Sequence, residues 1–205
     1  NESKIAASIL YEYTFLGGPT VNDNLGYPDN NIIYQQEYNT NDNPLYGTRI
    51  NLDYQWKPFV FGTIETGYQF RNLDHSGEFV YERNGNLVSE FSSDIEMNRT
   101  IHSGYLQLTG AKNKWDYAAG VRLESMDRTY EESLKSEIMP NRYTYNFFKI
   151  FPSASVQYKV NDKTNLKAAY SKRLERTTTF KMNSFAEREH SEVFEQGDNT
   201  LLPEF

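Results

Sequence analysis

Residues 45–56 alternate without a break: Tyr46, Thr48, Ile50, Leu52, Tyr54 and Trp56 fall on one parity, and Gly47, Arg49, Asn51, Asp53 and Gln55 on the other. A hydrophobic period of two marks a strand with one dry and one wet face, so this stretch is predicted to be a half-buried β-strand. The same reading gives a strand over 4–13, with Ile5, Ala7, Ile9, Tyr11 and Tyr13 opposite Lys4, Ser8 and Glu12. Another covers 60–70, with Ile64, Tyr68 and Phe70 opposite Glu65, Gln69 and Arg71. Over 115–126, Trp115, Tyr117, Ala119, Val121 and Leu123 alternate with Asp116, Gly120, Arg122 and Glu124. Two more strands follow, at 145–160, where Ala154, Val156, Tyr158 and Val160 share a face, and at 165–175, where Leu166, Ala168 and Tyr170 do. A strand is also predicted at 97–109, with an ambiguous apolar face around Ile101 to Leu108.

Between these seven strands the connections alternate in length. Lys57-Pro58, Ala111 to Lys114 and Asn161 to Thr164 are turns of two to four residues, whereas polar stretches at 16–44, 72–96, 127–143 and 176–205 read as long loops. Within the first, 32–38 is β-prone and suggests a small hairpin arm. Within the second, Arg83-Asn84-Gly85-Asn86 between Phe79-Val80-Tyr81 and Leu87-Val88 is a hairpin signal. In an up-and-down meander this order puts every tight turn at one end and every long loop at the other. Barrels that span bacterial outer membranes have that asymmetry, with short periplasmic turns and long extracellular loops; Greek-key sandwiches do not require it. The expected fold is all-β, an antiparallel up-and-down meander forming part of a large transmembrane β-barrel over residues 1–205. Closed single-chain barrels carry an even number of strands. Either 32–38 contributes an eighth, or the chain is an arc of a larger wall; both of its ends read as interior to a longer protein, which favours the arc.

Composition adds to the membrane reading. The 205 residues hold 16 Tyr and 13 Phe against 2 Trp, yet the mean hydropathy is -0.76. A barrel wall needs apolar surface only at every second residue and places aromatic rings at the membrane interfaces. Tyr11, Tyr13, Tyr54, Trp56, Tyr68, Trp115, Tyr117, Tyr158 and Tyr170 are therefore expected to form an interface girdle against outer-membrane lipid. No apolar run approaches the roughly 20 residues of a membrane-crossing helix. A formal charge of -7 argues against a nucleic-acid partner. The absence of cysteine removes disulfides, thiolate metal sites and cysteine nucleophiles.

Three passages carry a family resemblance. Residues 115–124, WDYAAGVRLE, are similar to the "aGlRlE" strand of TonB-dependent outer-membrane receptors, particularly the large group in Bacteroidota. Residues 151–176, FPSASVQYKVNDKTNLKAAYSKRLER, resemble their "fPs.s..Y......l..sYs.Ri.RP" passage, and the stretch from Glu195 to Glu204 resembles "GNP.L.PE". Residues 51–67 also look like their "l.aDY..P.......E.G" hairpin. The chain departs from the pattern at Arg176-Thr177, where the family has Arg-Pro, and at Asp198-Asn199-Thr200 in place of Gly-Asn-Pro. The resemblance implies a 22-stranded barrel with an N-terminal plug domain, and uptake of a scarce ligand driven by a periplasmic TonB-type protein. The plug is not within these residues, and a surface lipoprotein is a further candidate partner.

No catalytic motif appears, and neither enzymatic activity nor a cofactor is expected. His75, His102 and His190 stand far apart without metal-ligand spacing. Glu131-Glu132 and the pair Glu187 and Glu189 fall in expected loops, where a solvated surface explains them. More informative are Arg49, Asp53, Glu65, Arg122 and Glu124, which fall on the predicted wet face and are candidates to line a lumen. There they would pair across neighbouring strands or contact a plug. Two other readings stand beside the receptor: a passive or secretion-associated outer-membrane barrel, and a soluble all-β binding module. A plug-like segment encoded upstream separates the first pair; a folded monomer in detergent-free buffer would favour the last.

Overall fold

A computed structural model of the chain describes residues 3–59, 62–176, 180–182, 187–190, 193–198 and 200–204. Val60, Thr177, Asn199 and the side chains of Glu187, Glu189 and His190 lie outside that description. The strands are β1 (Ser3–Leu25), β2 (Ile33–Phe59), β3 (Gly62–Arg83), β4 (Asn86–Leu87), β5 (Ser93–Lys112), β6 (Trp115–Leu134), β7 (Asn141–Asn161), β8 (Thr164–Ser171), β9 (Glu187–His190) and β10 (Val193–Glu195). One antiparallel sheet runs β1-β2-β3-β5-β6-β7-β8 in sequence order, with β4 paired to β3. The meander expected from the alternation is thus present, all-β and without crossovers.

The strands run well past the expected boundaries. Residues 16–44 are not a loop with a hairpin arm: Leu16 to Asn24 pair with Gln35 to Asn43, leaving a connection of only 26–32. Residues 72–96 and 127–143 likewise contract to connections at 84–92 and 135–140. The Arg83 to Asn86 hairpin forms, with Asn84 at φ 51° and Gly85 at φ 71°, the left-handed pair that a two-residue hairpin turn demands. At the opposite end, Lys57-Pro58 is not the turn. It lies inside β2 where the register with β3 shifts between Trp56 and Phe59, a position that tolerates a residue without an N–H. The last long strand ends at Ser171 rather than at Glu175, which instead forms a single bridge with Glu204.

The strands outlast the expectation because their apolar parity changes sides partway along. On β6, Trp115, Tyr117, Ala119, Val121 and Leu123 share one face, after which the apolar positions become Met126, Tyr130 and Leu134 on the other. On β5 the change falls between Ile101 and Leu106, which accounts for the ambiguous face there. One sheet face, here the covered face, is partly overlain by the segment after β8. Met182 packs among Phe79, Ile95, Met97 and Tyr130, and Leu174 against Ile101, Met126 and Phe147. Burying a methionine of this kind contributes about 1.5–3 kcal/mol.

The other face, here the open face, stays bare among the described residues. Ile5, Ile9, Leu52, Leu106, Leu123, Leu166 and Tyr170 are all exposed there, Ile9 at 77%. This apolar surface is a band. It covers Ile5 to Phe15 on β1, Tyr46 to Trp56 on β2, Ile64 to Phe70 on β3, Trp115 to Leu123 on β6 and Phe148 to Val160 on β7. Beyond it the same face turns polar, through Asp42, Asp74, Glu78, Asp94, Glu96, Asp127 and Glu131. Along β2 the band spans ten residue steps, about 33 Å of strand or about 25 Å of height at a tilt of roughly 40°.

Candidate functional site

Register places Arg49, Asp53, Glu65, Arg122 and Glu124 on the covered face, at the height of the apolar band behind them. Four of the five are held in side-chain pairs, those of Asp53 and Glu65 across strands and that of Arg122 and Glu124 along β6. Tyr105 Oη donates to Asp53 Oδ1 at 2.6 Å, and Gln55 Nε2 donates to Glu65 Oε1 at 2.8 Å. Arg122 reaches Glu124 Oε2 at 3.1 Å and Ser103 Oγ at 2.9 Å. Glu124, almost fully buried, also accepts from Arg176 in the segment after β8. Farther along the sheet, Gln69 donates to Asn51 Oδ1 at 2.7 Å, and Asn51 to Ser8 Oγ at 2.9 Å. A chain of polar contacts therefore runs from β1 to β6 at one level of the wall. Arg49 joins no ion pair among the described residues.

A missing side chain makes the Asp53 contact possible. Gly67 lies between Asp53 and Tyr105 in the register, and a Cβ there would sit 2.4 Å from Asp53 Oδ1 and 2.5 Å from the Tyr105 ring. The bond thus bridges two strands across a third.

The nine aromatic residues named for a girdle all fall on the open face, in two tiers. Tyr54, Trp56, Trp115, Tyr117 and Tyr158 lie toward the tight turns, with Trp115 stacked on Tyr158 at 4.6 Å between centroids. Tyr11, Tyr13, Tyr68 and Tyr170 lie farther along; Tyr13 meets Tyr46 at 5.0 Å, and Tyr68 Oη is 2.7 Å from His102 Nδ1. Near this second tier a depression of about 400 Å³ opens beside Tyr46, Asp74, Glu96, Glu131 and Arg142.

Several residues fall elsewhere than the alternation implied. Glu132, expected on a solvated loop, is buried on the covered face of β6. His75, expected in a loop, is a buried strand residue whose Nε2 lies 3.2 Å from Asn43 Oδ1, and burial holds its pKa below the ordinary histidine range. Sequence reasoning missed Arg99, Arg128 and Arg176, which gather on the covered face with Arg49 and Arg71. Arg128 donates to the Leu201 carbonyl and Met182 Sδ. Arg99 lies within the predicted 97–109 strand, where the ambiguous face hid its direction, and carrying the alternation past Leu123 would have found Arg128.

A sheet with one apolar band facing outward, and a hydrogen-bonded polar face behind it, is the wall of a transmembrane β-barrel. The chain belongs to the outer membrane protein beta-barrel family, whose model matches residues 1–205, and its place is the bacterial outer membrane. Among solved structures it is similar to the ferric yersiniabactin uptake receptor FyuA from Yersinia pestis, at 16% identity and TM-score 0.50, over 62% of this chain and 22% of that one. It is also similar to the ferric citrate transporter FecA in its unliganded form, at 18% identity and TM-score 0.53, over 82% of this chain and 24% of that one. The chain thus spans about a quarter of the length of these structures. No curated protein matches it.

Proposed function

We propose that the chain forms one arc of the wall of a TonB-dependent outer-membrane receptor that takes up a scarce ligand. The plug and the segment that meets a periplasmic TonB-type protein would belong to other parts of the parent protein. The observation that carries this reading is the two-faced sheet, with an uncovered apolar band about 25 Å tall backed by polar side chains joined from strand to strand. Such a band has no place on a soluble binding module, where it would be an aggregation surface. In lipid an unpaired strand edge is untenable, so β1 and β8 each require a further neighbour, as an arc of a larger barrel would have. The resemblance of residues 115–124 and 151–176 to the receptor family, and a fold shared with an uptake receptor and a transporter, support the choice of receptor over passive pore. No chemical step is assigned to the wall.

The test is on the parent protein. Purified in detergent, it is expected to bind the isolated periplasmic domain of a TonB-type protein, and in a planar bilayer to stay closed, because a plug fills the lumen. Steady conductance without TonB binding would replace the receptor by the passive or secretion-associated barrel.

A further inference from the structure

We propose that the covered face carries an oxyanion site, built by Arg49, Arg71 and Arg99 on three adjacent strands, that takes an oxygen of one carboxylate or phosphate group. The inference rests on the reading above that this face lines a lumen. Arg49 lies directly opposite Arg71 in the β2–β3 register, and Arg99 directly opposite Arg128 in the β5–β6 register. Arg71 faces Ile101 and Arg99 faces Leu73, so the two arginine pairs are diagonal neighbours on the same face. Like charges placed directly opposite on one sheet face repel, and here the apposition occurs twice within two adjacent rows.

Among the described residues the three arginines are left without an ion-pair partner. Glu124 is already shared by Arg122 and Arg176. Glu12, opposite Gly47, lines the pocket itself without reaching ion-pair distance of any of the three, and a Cβ on Gly47 would meet its carboxylate at 2.6 Å. Among the described residues no carboxylate is within ion-pair distance of Arg49, Arg71 or Arg99. Among the described residues the buried Nε groups of Arg49 and Arg99 have no acceptor, which costs free energy unless something fills the place. Glu12, Leu73, Ile101 and the three arginines border a small enclosed pocket of about 10 Å³, room for the centre of one water-sized group.

Guanidinium groups present paired N–H donors in a planar fork that matches an oxyanion bidentately. Three converging on one pocket select a carboxylate or phosphate over a cation or a neutral sugar. The oxyanion can come from two sources: a soluble anion passing through the lumen, or a carboxylate side chain of a parent segment that fills the interior.

The experiment uses the full-length parent in detergent, with inorganic phosphate as the probe and sodium chloride at matched ionic strength as the reference. The variants are Arg71→Gln, Arg99→Gln and the charge-keeping Arg99→Lys, each checked for the folded state by its gel mobility before and after boiling. If the source is soluble, phosphate raises the melting temperature of the wild type, and Arg71→Gln and Arg99→Gln weaken the apparent affinity at least tenfold while Arg99→Lys retains part of it. If the source is the protein's own carboxylate, phosphate has no specific effect on the wild type. The two glutamine variants then speed hydrogen exchange in the interior segment, and Arg99→Lys does so less. Phosphate stabilisation that the variants leave unchanged overturns the proposal, as does the absence of both effects. The wall reading fails separately: a water-soluble maleimide should label Asn51→Cys and not Ile50→Cys, and the reverse result sinks the lumen assignment itself.

Discussion

At the residue scale the wall depends on contacts that cross a strand rather than merely join neighbours. Tyr105 reaches Asp53 only because Gly67 leaves the intervening row empty. Tyr105→Phe is expected to cost about 1.5–3 kcal/mol, the range for a hydrogen bond to a charged group. Gly67→Val is expected to cost at least as much, because it displaces both partners. Denaturant unfolding of the refolded parent measures both, and a loss below about 0.5 kcal/mol for Tyr105→Phe would mean that the bond carries no stability.

His75 gives a pH dependence whose sign is fixed by its burial. The unfolded chain binds the proton near the ordinary value of 6.5, whereas the folded protein binds it only at lower pH. Stability is therefore complete above about pH 6.5 and declines as pH falls through the folded value. His75→Gln keeps a donor toward Asn43 and removes the titration, so the slope of stability against pH between about 7 and 5 is expected to flatten. An unchanged slope would assign the acid sensitivity to other groups.

At the scale of the element, the change of apolar parity within a strand is the feature to test. Val121→Arg on the open face of β6 lies within the apolar band, where a lipid-facing arginine costs about 2–4 kcal/mol. Eight residues on, Thr129→Arg keeps the same parity but lies beyond the band, and is expected to change stability by less than about 0.5 kcal/mol. Met126→Arg, on the opposite parity, buries a charge against Ile101 and Phe147 and should be the most damaging of the three. Equal losses at Val121 and Thr129 would refute the crossover.

This crossover also sets how much of the fold was legible in the sequence. Residues 45–56 and 115–123 keep one parity and were readable as strands. Residues 16–44 were not, because Asn, Asp, Gly and Pro ordinarily signal turns. Here Gly17 and Gly18 adopt φ of 127° and 143° within β1, and pairing with Asp42 and Asn41 carries the ladder through. Tertiary pairing overrides local preference there, as it commonly does in sheets. The polar face of the site was readable from Arg49, Asp53, Glu65, Arg122 and Glu124. Their actual partners were not, since Tyr105, Ser103 and Gln55 are fixed by interstrand register. Arg176 arrives from a segment with no alternation at all.

At the scale of the whole molecule, the tight turns at 113–114 and 162–163 lie at one end, and the connections at 26–32, 84–92 and 135–140 at the other. If the second end faces the medium, cysteines placed at Asn31 and Glu137 should react with an impermeant maleimide on intact cells, and one at Asp162 should not. The chain itself contains no cysteine to confuse the signal. Labelling of Asp162→Cys alone would invert the orientation. Trp56 and Trp115, both near the tight turns, should be quenched by lipids brominated near the headgroup more than by those brominated mid-chain.

The row where the open face changes from apolar to acidic has one more effect. It marks a fixed depth on the wall, because Tyr46, Phe70, Leu123 and Phe148 stand on one side of it and Asp74, Glu96 and Glu131 on the other. A bilayer thicker than the band would have to submerge those carboxylates or thin itself around the protein, at a cost that grows with each ångström of mismatch. The wall thereby acts as a gauge of membrane thickness, matched to the thin outer membrane and penalised in a thicker one.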